Sequence, residues 1–332
     1  MAVPFCEVVA EQWSELPLLV TTEICTGKTY IITGANTGLG FEAAKHLVAL
    51  GAEKVIMAVR NLEAGEAAKN EIESLTNNRG IAEVWSLDLG NFESVKAFAK
   101  RSASQLNRID ALIENASVAL DHWSVTEGYE SSVTINIIST FLLAALMLPK
   151  MNESAKRFKT MPHLTIVTSE AGFMVKKVFQ GVKDSPLAKM NDPKAPDITQ
   201  RYPLTKLIQH YAGRHLATLV PLSKMGVVIN LVNPGLCKTR LSRNARFTMR
   251  LQITVANMLI GRTVEMGSRT LLHATTAGPD SHGCYVSACE IKEHQVPDWV
   301  KGDEGRQLGK LIWGEIAAIL ESIEPGCLTK IL

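Results

Sequence analysis

Residues 29–51 constrain the fold more than any other stretch. Thr29-Tyr30-Ile31-Ile32 is a β-branched and aromatic run, the pattern of a short buried strand. Thr33-Gly34-Ala35-Asn36-Thr37-Gly38-Leu39-Gly40 follows at once, and Phe41 to Leu50 reads as a helix closed by Gly51. Strand, glycine-rich turn and helix together are what a dinucleotide site needs. The glycines permit a tight turn and close approach of backbone to a pyrophosphate, and the helix N-terminus favours its negative charge.

The rest of the chain repeats the alternation. Val55–Val59 is a second strand that ends at Arg60. An acidic residue there would bind a free ribose diol, whereas a basic one suits a 2′-phosphate, so Arg60 points to NADP(H). The plain alternative is a surface arginine at a strand end. Helix Glu63–Leu75 leads to strand Glu83–Leu87, ending at Asp88, and Asn91 caps a helix to about Leu106. Strand Ala111–Ile113 precedes Glu114-Asn115-Ala116-Ser117, and a helix from about Ser131 to Met151 contains Asn136. Strand Leu164–Thr168 ends at Ser169; after a long loop come a helix with Tyr202 and strand Val227–Val232, followed by Asn233-Pro234-Gly235. Residues 240–332 read as mostly helical, with one strand around Cys284–Val286. Such alternation demands parallel pairing and right-handed crossovers. The expectation is α/β: an N-terminal extension, 1–27, and one domain, 28–332, with a Rossmann-type doubly wound parallel sheet of about seven strands, helices on both faces and a helical substrate lid.

Tyr202-Pro203-Leu204-Thr205-Lys206 carries the chemistry. A tyrosine and a lysine four apart lie on one helix face, and Pro203 suits a first helical turn. Free tyrosine titrates near ~10. A fixed ammonium nearby favours the phenolate and lowers that value, making a candidate acid/base. Alone, the same spacing also fits a solvated helix face.

Composition narrows the partners. The 332 residues are 46% hydrophobic and 20% charged with net charge +2, and no basic run marks a nucleic-acid footprint. The six cysteines form no Cys-x-x-Cys pair and no zinc spacing, so no metal is expected and free thiols in a reducing compartment are. Glu7, Glu11 and Glu15 make the N-terminus unlike a secretory or transit signal, and the longest apolar run, Phe141 to Pro149, is too short to span a bilayer. The reading is a soluble cytoplasmic protein.

In this order and spacing the residues resemble the short-chain dehydrogenase/reductase family over about 28–290. The elements are the Thr33–Gly40 turn, Asn136, Ser169, the Tyr202/Lys206 pair, and Pro234, Gly235 and Thr239 after the sixth strand. Arg262 to Gly267, with Gly278-Pro279 to Tyr285, resembles the fungal, retinol-dehydrogenase-like branch, often found in secondary metabolism. The resemblance implies that Tyr202 donates a proton to a carbonyl oxygen, Lys206 holds the nicotinamide ribose, and Ser169 hydrogen-bonds the substrate oxygen. It implies that Asn136 holds a water linking Lys206 to solvent. Cofactor contacts are implied at Thr33, Gly34, Asn36, Thr37, Gly38, Leu39, Gly40, Arg60, Asp88, Leu89, Asn115, Ala116, Tyr202, Lys206, Pro234, Gly235 and Thr239. Asp88 would meet the adenine, and Asn115 would brace the central sheet.

Two departures stand out. Ser117 replaces a family glycine, and Ser169 and Tyr202 lie much farther apart than the family's usual dozen or so residues. The expected activity is NADPH-dependent interconversion of a ketone and a secondary alcohol on a bulky apolar small molecule; the alternative is a non-redox member, a cyclase, dehydratase or regulatory binder. Lid segments are expected at about 172–201 and 241–260. A homodimer is expected through the helices carrying Asn136 and Tyr202, because Phe141–Leu146 is apolar nearly all round.

Overall fold

The structure, a computed structural model, describes residues 10–194, 197–239 and 260–332. One sheet holds eight strands: β1 (Thr29–Thr33), β2 (Lys54–Val59), β3 (Ala82–Ser86), β4 (Ala111–Glu114), β5 (His163–Val167), β6 (Val228–Asn233), β7 (Tyr285–Ser287) and β8 (Glu290–Ile291). Their spatial order is β8-β7-β6-β5-β4-β1-β2-β3. The first seven pair in parallel, as the alternation predicts, and β8 adds a short antiparallel edge on β7. Every residue of β1, β5 and β6 is buried, which is why they read as unbroken apolar runs. The order reverses between β1 and β4, and in such sheets ligands bind beyond the carboxyl ends of the strands at that point.

Helices α1 (Gly38–Ala49), α2 (Leu62–Thr76), α3 (Phe92–Gln105), α4 (Ser139–Phe158), α5 (Arg201–Leu219), α6 (Val264–Ala274) and α7 (Asp303–Ile323) surround the sheet. Asn61 and Asn91 cap α2 and α3, accepting from Ala64 N at 3.0 Å and Ser94 N at 2.8 Å. One core, with Ala43, Leu47 and Leu271, lies under α1 and α6. The other, with Val95, Leu142 and Leu207, lies under α3, α4 and α5. A π turn, Thr134–Ile138, leads into α4 and contains Asn136. From Ser131 to Phe158 the helical segment is long and apolar enough to cross a membrane, yet 89% of its most apolar window is buried inside the fold, as a core helix would be.

Two expectations change here. Phe141 to Ala145 are buried within the single chain, and Trp313 of α7 meets Phe141 edge-on with ring centroids 5.8 Å apart. The run therefore needs no second subunit for its cover. The stretch after Ser169 is no open loop. It forms short helices, Glu170–Val175, Lys176–Gln180, Pro186–Met190 and Ile198–Gln200. Of the apolar residues at its start, Val175 and Phe179 are buried, Phe173 and Val178 pack partly buried against the core, and Met174 stays exposed; Val182, Leu187 and Met190 are buried further on. The buried Arg201 guanidinium ties this insert to the foot of α5, donating to Met190 O and, at 3.0 Å, to Asp192 O. Of the second lid segment, 241–260, all but Ile260 lies outside the described residues. The extension packs through Leu16 and Val20, while Trp13 and Leu19 stay exposed.

Candidate active site

The strands deliver the site because their carboxyl ends are in register. Thr33 aligns with Ala58 of β2, and Glu114 with Ile166 of β5. Gly34 and Gly38 have φ of 67° and 63°, a left-handed conformation that favours glycine. A Cβ on Gly40 would stand 2.7 Å from both Asn115 Nδ2 and Gly34 O, so only glycine lets α1 begin there. Asn115 spans the switch point, donating from Nδ2 to Thr33 O at 2.9 Å, and so braces the central sheet as expected. Thr33, expected to touch a cofactor, is instead buried, its Oγ1 accepting from Ala116 N at 2.8 Å. Leu89 is likewise a core residue, with its carbonyl accepting from Ser139 Oγ at 2.6 Å.

Around the turn, Arg60 is exposed at the end of β2. Asp88 Oδ1 accepts from Gly90 N at 2.8 Å beyond β3. Thr239 brings the other end of the cleft to the glycine turn, because a Cβ on Gly38 would lie 4.0 Å from its methyl group. Gly235 (φ 78°) turns the chain after β6. These features fit a dinucleotide: glycines at 34, 38 and 40, an open helix N-terminus at α1, and an exposed guanidinium at the neighbouring strand end.

The segment after Ser169 meets α5 across another glycine, Gly172. A Cβ on Gly172 would sit 2.7 Å from Leu207 N, so glycine lets the segment after Ser169 lie on the backbone of α5. Thr168 Oγ1 donates to Lys206 O at 3.2 Å, closing the same contact. The Ser169 hydroxyl oxygen accepts from Ala171 N at 3.2 Å, which leaves its own hydrogen to donate. Tyr202 and Lys206 occupy the first two turns of α5, with Lys206 Nζ 5.6 Å from the Tyr202 ring centroid.

The electrostatics differ from the expectation that Lys206 lowers the tyrosine value. Burial raises the Tyr202 phenol well above its usual range, and burial pulls Lys206 down to about 7. Desolvation penalises whichever form is charged, and here it acts on both groups. Asn136 is bonded within the protein through both its side chain and its main chain. Its side chain clamps the end of β4, with Oδ1 accepting from Ser117 Oγ at 3.0 Å and Val118 N at 2.9 Å. Its Nδ2 donates to Val118 O at 2.8 Å and Thr205 Oγ1 at 3.1 Å. Its main-chain carbonyl accepts from Gln209 Nε2 at 2.6 Å. Ser117 thus replaces the family glycine without a positive φ and contributes a hydrogen bond.

Sequence reasoning missed Gln12 and Arg262. Gln12 is buried, and its amide pairs with both backbone groups of Leu236, donating at 3.0 Å and accepting at 3.1 Å. Arg262 donates to Pro234 O at 3.5 Å and to Glu11 O. No local pattern marks Gln12, and although Arg262 opens the run that resembles the fungal branch, nothing in that run points to its partners Pro234 and Glu11. Gln209 was also missed, though its place one turn after Lys206 on the same face was legible.

Known proteins share the sequence pattern and the fold. Residues 28–180 match the family model described as short chain dehydrogenase. The chain is 41% identical over 305 residues to the short chain dehydrogenase/reductase dmxR8 of Cryptosporiopsis sp., covering 91% of this chain and 93% of that one. It is 38% identical to the short-chain dehydrogenase/reductase phmF of Phaeosphaeria nodorum, covering 92% and 89%. Among solved structures it resembles a short-chain dehydrogenase from Sphingobium yanoikuyae in complex with NADPH, with TM-score 0.59, 21% identity and coverage of 84% and 93%.

Proposed function

Given that this chain belongs to the short-chain dehydrogenase/reductase family, we propose that it is an NADP(H)-dependent oxidoreductase. It interconverts a ketone and a secondary alcohol on a bulky, largely apolar small molecule, in the cytoplasm and within fungal secondary metabolism. The observation that carries the reading is that the segment after Ser169 lies on the backbone of α5 at Gly172, with Thr168 bonded to Lys206 O and the Ser169 hydroxyl keeping a hydrogen to donate. A protein that only bound a nucleotide would have no use for that contact. Support for NADP(H) comes from exposed Arg60 and from the NADPH in the Sphingobium yanoikuyae relative of the fold. Exposed Met174, five residues after Ser169, supports an apolar substrate. The five cysteines among the described residues are free thiols, in keeping with a reducing compartment.

The turn 34–40, Arg60, Asp88 and Thr239 would hold the cofactor, which supplies the hydride. The chain's own groups do the rest. Ser169 donates to the oxygen on which charge develops. Tyr202, kept protonated at neutral pH by burial, gives that oxygen its proton. The ammonium of Lys206 stabilises the phenolate left behind.

The test is NADPH oxidation with a series of ketones of rising apolar size. Tyr202→Phe keeps the ring and removes the proton. It should lower kcat by roughly 10²–10⁴-fold, with NADPH binding by fluorescence nearly intact. Wild-type turnover by Tyr202→Phe, or product formed without any NADPH consumed, would overturn the assignment.

A further inference from the structure

Lys206, Gln209 and Asn136 are all buried, at 2%, 2% and 0% exposure, and they form one chain of hydrogen bonds. Lys206 Nζ donates to Val167 O at 2.8 Å and to Gln209 Oε1 at 3.0 Å. Gln209 Nε2 in turn donates to Asn136 O at 2.6 Å. We propose that Gln209 is the positioning residue for Lys206: its side-chain amide ties the lysine to the Asn136 peptide and fixes which ammonium hydrogen faces the cleft.

The geometry leaves little freedom. An ammonium has three hydrogens and no acceptor, a peptide carbonyl only accepts, and a carboxamide has one end of each kind. The Gln209 amide can therefore lie in one orientation only; a flip would set NH₂ against the ammonium and oxygen against oxygen. Two ammonium hydrogens are spent on Val167 and Gln209, and the third remains for the Tyr202 side. A carboxamide does not titrate in the working range, so the bridge orients Lys206 without passing a proton to Asn136. Its oxygen also offsets part of the desolvation that disfavours the charged lysine.

The ionisable neighbours leave this link room to act. On α5 they are Tyr202 and His210; the latter is neutral, held down to about 3 mainly by burial. The end of β5 offers only the Val167 carbonyl, Thr168 and Ser169, and the π turn offers Asn136, none of which titrates. The carboxyls nearest those elements in the chain, Glu114 and Glu170, are both pushed toward the acid form, chiefly by burial.

The role rests on the proposed redox function, but its test does not. The full chain is labelled with ¹³C at lysine Cε and titrated by NMR, with Lys206→Met identifying the signal. Gln209→Met keeps the volume and removes the acceptor, and should move the Lys206 midpoint down by about a unit, tenfold in proton affinity. Gln209→Glu puts a carboxylate there and should move it up by a similar factor. The alkaline limb of kcat/KM should follow in the same two directions. Midpoints unchanged in both variants, or shifted the same way, would overturn the proposal. If Gln209→Met does not fold, the sign of the Gln209→Glu shift decides alone. Opposite shifts without turnover of any ketone would keep this role and reject the redox reading.

Discussion

At the residue scale, the charged groups of the cleft set the preferences that can be measured. Arg60 stands exposed where an acidic residue would be needed to hold a free ribose diol. Its guanidinium pairs bidentately with a phosphate, and a hydrogen bond to a charged group contributes about 1.5–3 kcal/mol. Arg60→Ala should therefore raise KM for NADPH roughly 10–100-fold and leave NADH little changed. Equal affinity of the wild type for the two cofactors would contradict this. Lys206 sets the pH dependence. Its value is lowered to about 7, so the ammonium is present below that pH and lost above it. NADPH affinity, followed by fluorescence, should fall as pH rises through about 7 and stay level on the acid side until other groups titrate. A flat profile from pH 6 to 9 would show that Lys206 keeps its charge or makes no contact.

At the scale of elements, the N-terminal extension has a task that its position in the chain does not announce. The buried Gln12 amide meets Leu236 N and Leu236 O, next to Pro234 and Gly235, and donates to Ile260 O at 3.0 Å. Glu11 adds bonds from Ser287 Oγ at 3.1 Å and Gln295 Nε2 at 2.9 Å. The extension thus works as a latch on the turn that ends in Thr239. Gln12→Ala leaves the Leu236 N–H without its acceptor, at a cost of about 1–3 kcal/mol, while Leu236 O keeps the bond from Arg262 N at 2.8 Å. The expected result is a lower melting temperature with NADPH affinity weakened about tenfold or more. Unchanged cofactor affinity would mean that the latch stabilises the fold alone.

At the scale of the whole molecule, α7 closes the face of α4 and α5 that the sequence reading assigned to a second subunit. Trp313 is buried against Phe141, and Glu315 Oε2 accepts from Leu187 N at 2.9 Å, so the helix clamps both α4 and the insert. Truncating a buried tryptophan costs about 3–5 kcal/mol. Trp313→Ala should lower stability by that order and expose the apolar run Phe141–Leu146 to self-association. The wild type is expected to be a monomer by light scattering, and Trp313→Ala to show higher mass. A wild-type dimer whose mass Trp313→Ala does not change would place any pairing on another surface.

What the sequence determined by itself was whatever depends on neighbours in the chain. The βαβ alternation, the glycine turn 33–40, the Asn91 cap and the one-face spacing of Tyr202 and Lys206 all follow from local periodicity and turn chemistry. The strand order then places their ends together. Only the tertiary structure decided how those groups are solvated and what covers them. Burial reversed the expected shift of Tyr202, because desolvation is a property of packing around a group and not of its partner four residues away. Thr33 became a brace at the end of β1, and Leu89, in the turn after β3, became a core residue. Asn136 met Gln209 because the π turn and α5 lie side by side in space. The extension and α7, remote from the motifs in sequence, supplied the latch and the cover, since a folded chain satisfies buried polar groups and apolar faces with whatever segment reaches them.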